Sequence, residues 1–85
     1  MSVITKTFSE VNAALTDDER RVIALYAKNN MRICETAKDA FYHKRTVHAK
    51  LNDVQRKTDL NPRVFYDLVL LVFAISEKGG IENAI

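Results

Sequence analysis

The sequence predicts an all-α fold, a small bundle of four to five helices. Three observations carry that prediction. Only two glycines and one proline occur in 85 residues, and all three lie after residue 60. An all-β chain of this length needs turn residues every 8–12 positions, so that class is excluded. Apolar residues recur at three- and four-residue spacing along most of the chain, which is the helical period. Recognisable capping residues stand where that periodicity begins and stops.

The elements follow in order. Phe8, Val11 and Leu15 recur at three and four residues and predict a short helix from about Ser9 to Leu15. Thr16-Asp17-Asp18-Glu19 is a capping-box start, with Thr16 able to accept from the Glu19 amide and Glu19 able to reach back. The three acidic residues also suit the positive end of the helix dipole. Val22, Ile23, Tyr26 and Ala27 then give one apolar face. Asn29-Asn30 is the expected stop, because Asn tolerates left-handed backbone. A second short helix is expected from Ile33 to Ala40, with Ile33, Ala37 and Ala40 inward. Phe41-Tyr42-His43 breaks the pattern, and the next helix runs from about Lys44 to Thr58. Its apolar stripe is narrow, Val47, Leu51 and Val54, and its other faces are polar and basic. Asn61 and Pro62 predict a restart with Asn61 as cap and Pro62 at the first helical position. The helix from Arg63 to Glu77 is apolar nearly all round, and Gly79-Gly80 ends it. The expected organisation is one domain over residues 1–85: an N-terminal segment 1–15, a core 16–77 and a frayed tail 78–85.

Several functions are excluded at this stage. The chain is too short for a two-domain enzyme with a cleft. Cys34 is the single cysteine, so no internal disulfide can form, and the chain suits a reducing cytoplasm. His43 and His48 are five residues apart and point to different faces, so no metal site is expected. Cys34 is expected to be a small, partly buried side chain. The tyrosines Tyr26, Tyr42 and Tyr66 are expected in core or rim. No arrangement supports catalysis, no cofactor is expected, and the N-terminal residues do not read as a signal peptide. The longest apolar stretch, Val64 to Ile75, is interrupted by Asp67 and is too short to span a membrane.

The net charge of +2 averages unequal segments. Residues 38–57 hold six basic groups (Lys38, Lys44, Arg45, Lys50, Arg56 and Lys57) against Asp39 and Asp53. Residues 58–85 hold two basic groups against four acidic ones. A basic stripe on one element is the footprint of nucleic-acid binding, but it is equally the solvated face of an ordinary helix. Spacing adds to it. Ala37 is a small residue where two helices can cross closely, and Val47, ten residues on, can fill the angle between them. That is the requirement of a helix-turn-helix.

The residues Thr36-Ala37, His43-Lys44-Arg45-Thr46-Val47, Lys50-Leu51 and Thr58-Asp59-Leu60-Asn61-Pro62 fall together, without a gap, in a pattern that resembles the C-terminal helix-turn-helix of PucR-type bacterial regulators. That domain is itself similar to the Fis-type DNA-binding domain. The resemblance covers about residues 17–76. It departs at Ala40, where a larger apolar residue is usual, at Asp59 in place of glycine, and at Lys44-Arg45 in place of Arg-Asn. Nothing in the sequence resembles the sensory region of those regulators. The resemblance implies a helix-turn-helix bundle that binds double-stranded DNA and regulates transcription in a bacterial or phage cytoplasm. On the Lys44–Thr58 helix, Arg45, His48, Ala49 and Asn52 face away from the apolar stripe and are the expected base-reading residues. Thr36, His43, Lys44, Thr46 and Lys50 are the expected phosphate contacts.

The apolar helix is too hydrophobic for so small a chain to surround. Burial against a second copy is the direct solution, so a homodimer through Phe65, Leu68, Val69, Val72 and Phe73 is expected, the alternative being a monomer in which the preceding helices and the N-terminal segment cover this helix. The competing reading is a helical protein–protein interaction module that uses the Val64–Ile75 helix and does not bind DNA; a regulatory protein partner stays open beside the DNA and the second copy.

Overall fold

The computed structural model describes residues 8–76, which form five helices: α1 (Phe8–Ala14), α2 (Asp17–Lys28), α3 (Ile33–Ala40), α4 (Lys44–Thr58) and α5 (Phe65–Ser76). There is no strand among the described residues. The fold is the small all-α bundle the sequence predicts. The expected end of the last helix at Glu77, its Gly79-Gly80 stop and the tail from residue 78 lie outside the described residues.

Local chemistry sets the boundaries. At the start of α2 the capping box is complete: the Glu19 amide donates to Thr16 Oγ1 at 3.1 Å, and the Thr16 amide donates to Glu19 Oε1 at 2.9 Å. Asn30 and Met31 then adopt left-handed backbone, with φ of 55° and 65°, and turn the chain towards α3. α3 ends at Phe41 and α4 ends at Asp59, both left-handed, with φ of 61° and 62°. Asp59 thus occupies a position that favours glycine. Below it, Thr58 is buried; its hydroxyl donates to the Val54 carbonyl at 2.7 Å and accepts from the Leu60 amide at 3.2 Å.

α1 is offset by one residue at each end from the expected Ser9 to Leu15, and the start of α5 differs more. α5 begins at Phe65, two residues later than Arg63. Asn61 makes a cap-like bond, its Oδ1 accepting from the Arg63 amide at 3.0 Å, without being the N-cap of α5, which begins four residues on. However, the Val64 amide donates to the Asn61 carbonyl at 2.9 Å, which closes a tight turn over Pro62 and Arg63. The Asn61 amide is itself held by Asp67 Oδ2 at 3.0 Å.

The core gathers one face from every helix. Val11, Ile23, Leu51, Leu60 and Leu71 are among its fully or nearly fully buried side chains. Each such residue contributes roughly 1.5–3 kcal/mol on removal from water. α1 packs chiefly on α5, α3 packs on α2 and α4, and α2 touches α3, α4 and α5. α2 is therefore the central strut, and α4 is left with one long face to solvent. Polar ties join the elements. Arg20 donates to Asn12 Oδ1 and to the Asn12 carbonyl, both at 2.9 Å, and so links α2 to α1. Lys57 contacts the buried Glu19 carboxylate at 2.8 Å and links α4 to α2.

Candidate nucleic-acid interface

α3, the turn at residues 41–43 and α4 form the unit the sequence singled out. Ala37 on α3 and Val47 on α4 are both buried, and the two helices pack against each other, as that reading requires. Phe41 makes the reversal with left-handed backbone while its side chain stays 89% exposed. His43 stands at the N-cap of α4, where its Nδ1 accepts from the Arg45 amide at 3.2 Å. With Nδ1 turned to the helix amide, Nε2 is the ring atom left beside the helix start.

The turn is held from behind by Asp18. Its carboxylate accepts from the Tyr42 hydroxyl and from Lys50 Nζ, the latter at 2.7 Å, with Arg21 at 3.6 Å. These donors, Lys50 first and Tyr42 second, outweigh partial burial and hold the Asp18 carboxyl below the usual carboxylate range. The same contact raises both the Tyr42 hydroxyl and the Lys50 ammonium above their ordinary values. Lys50 Nζ also lies 5.7 Å from the centre of the Tyr42 ring, within cation–π range.

Arg45, His48, Ala49 and Asn52, the expected base readers, are all exposed on the outward face of α4. Arg63, which the sequence reading did not assign, joins them. Its guanidinium donates to Asn52 Oδ1 at 3.0 Å and lies 3.1 Å from His48 Nδ1. Asn52 can therefore form a bidentate contact only by sharing that oxygen. Of the expected phosphate contacts, His43 and Lys44 are exposed at the N-terminus of α4, and Thr46 is half-buried. Thr36 is fully buried and its hydroxyl donates to the Arg32 carbonyl at 2.7 Å, so it has no exposed atom for a phosphate. Lys50 is tied to Asp18. Cys34 is exposed at the start of α3, not partly buried; it lines a shallow groove with His43, Lys44, Arg45 and His48. No group of three His, Cys, Asp or Glu side chains suited to a metal comes together among the described residues.

The apolar helix divides as its composition requires. Leu68, expected at an interface, is buried in the chain's own core together with Leu71 and Ala74. Phe65 is 71% and Phe73 54% exposed, while Val69 and Val72 are half-buried. No helix among the described residues is long and apolar enough to cross a membrane. Comparison with family models, curated proteins and solved structures gives no match.

Proposed function

We propose that the chain is a binding protein rather than an enzyme, and that α4 is the recognition helix of a helix-turn-helix that reads double-stranded DNA in transcription regulation, in a cytoplasmic setting. The observation that carries this reading is the outward face of α4, where Arg45, His48, Ala49 and Asn52 stand exposed and are flanked by the cations of Lys44 and Arg63. A face of this kind offers a guanidinium for guanine and a methyl group for thymine, with cations for the phosphates on either side. The N-terminus of α4 adds the positive end of its dipole. A second reading, an interaction module without DNA binding, is favoured by the exposed apolar face of α5.

Selection from a random pool of duplexes, followed by fluorescence anisotropy, tests the first reading. An enriched sequence is expected. Arg45→Ala should weaken binding to it by about 1–3 kcal/mol and relax one base position, whereas Lys44→Ala should weaken enriched and random duplexes alike. No enrichment and no binding at low salt would overturn the DNA reading and leave the second.

A further inference from the structure

We infer that the exposed face of α5 is a self-complementary surface on which a second copy of this chain packs antiparallel, with the two-fold axis at Val69. The inference is independent of the DNA reading. The face is a groove of about 530 Å³ running along α5, with Phe65, Val69, Val72 and Phe73 on one side and Ala27 and Met31 on the other. None of its lining residues carries a charge. An ionic partner finds no counter-charge there, and whatever covers it must present an uncharged apolar face of its own. A second copy meets that condition through the same residues.

The spacing supplies the register. Phe65, Tyr66, Val69, Val72 and Phe73 share one side of the helix at 100° per residue. Reversal about Val69 maps this set onto itself: 65 onto 73, 66 onto 72, and 69 onto its own counterpart. In an antiparallel pair each exposed phenylalanine therefore meets the other copy's phenylalanine, at both ends of a valine contact. Antiparallel pairing also opposes the two helix dipoles, which parallel pairing would align.

The area fits. An aromatic side chain offers roughly 150–250 Å². With Phe65 71%, Tyr66 57% and Phe73 54% exposed, these residues and the two valines present on the order of 400–500 Å² of apolar surface, much of the apolar part of the ~800 Å² that a standard interface buries on each partner. Such a surface matches what an isologous interface requires.

Sedimentation of the full chain at tens of micromolar should give a species of twice the 9.7 kDa chain mass. Val69→Lys should convert it to monomer with its helical circular dichroism retained. In a Cys34→Ser background, a mixture of Tyr66→Cys and Val72→Cys chains should cross-link through a short thiol reagent far more than either chain alone. A monomeric full chain overturns the inference and leaves the groove to the chain's own residues 77–85 or to another protein. So does a dimer that survives Val69→Lys, or one that cross-links 66 to 66 and 72 to 72.

Discussion

Arg63 shows how a single side chain can alter a surface built by another element. It sits in the turn before α5, yet its guanidinium reaches across to His48 and Asn52 on α4. It adds a cation to the recognition face and orients two of the residues proposed to read bases. Arg63→Ala should lower affinity for duplex DNA roughly tenfold while changing stability by under about 1 kcal/mol, because the contact is exposed. Anisotropy and thermal melting on the same samples separate the two effects; an unchanged affinity would remove Arg63 from the interface. Phe41 illustrates a different kind of residue effect. Left-handed backbone costs a residue with a Cβ on the order of 1 kcal/mol, and the 89% exposed ring gains little packing in return. Phe41→Gly should therefore raise stability by about 0.5–1 kcal/mol, seen as a melting temperature a few degrees higher. A lower melting temperature would mean that the ring is held by contacts after all.

At the scale of the helix, α2, α3 and α4 were legible almost to the residue, because their signals are local. Thr16 and Glu19 are three residues apart, and Asn30 needs only its own backbone preference. The start of α5 was not legible. Asn61 announces a helix, but it is Asp67, six residues on, that holds the Asn61 amide and leaves Pro62 and Arg63 in a turn. The contacts that build the candidate interface were hidden for the same reason. Lys50 reads as a free phosphate contact until α2 brings Asp18 against it, and Lys57 reads only as one more basic residue of its helix until Glu19, 38 residues away in sequence, is buried beside it. These two clamps, both between α2 and α4, set the acid stability of the fold. Lys50 and Tyr42 hold the Asp18 carboxyl below its ordinary range. For Glu19 burial acts upward, but Lys57 and the Thr16 amide outweigh it, and the net direction is again downward. A carboxylate that is more acidic when folded stabilises the native state above its unfolded pKa, and that stability is lost as pH falls through the folded value. The melting temperature should therefore hold steady down to about pH 5 and fall below about pH 4. In an Asp18→Asn, Glu19→Gln double variant the fall should be shallower. An identical acid limb in the variant would show that other groups dominate.

For the whole molecule, the distribution of free and paired charge decides how strongly DNA binding should respond to salt. The sequence shows six cations between residues 38 and 57, of which Lys44 and Lys50 are expected at phosphates and Arg45 at a base. Folding divides them. Lys50 pairs with Asp18, Lys57 with Glu19 and Arg56 with Asp53. Cations already neutralised by a carboxylate displace few counterions from DNA. Lys44 at the start of α4 and Arg63 beside its outward face are the ones placed to act on phosphates, with Lys38 and Arg32 on the flank of α3 as a third and fourth, while Arg45 is assigned to a base. Each phosphate neutralised on duplex DNA contributes about −0.9 to the slope of log K against log salt. Three or four contacts therefore predict a slope between about −3 and −4 per chain, and twice that for a dimer on two half-sites. Engagement of all six cations would give a slope near −5 per chain, so the measurement also reports whether the clamps to α2 open on binding. Asp18→Asn, which releases Lys50, should steepen the slope by about one unit if Lys50 then reaches a phosphate. A titration between about 50 and 300 mM salt, run on wild type and this variant with sedimentation fixing the number of chains, reads all of these outcomes. A slope near zero would remove the phosphate backbone from the interface and with it the DNA reading of α4.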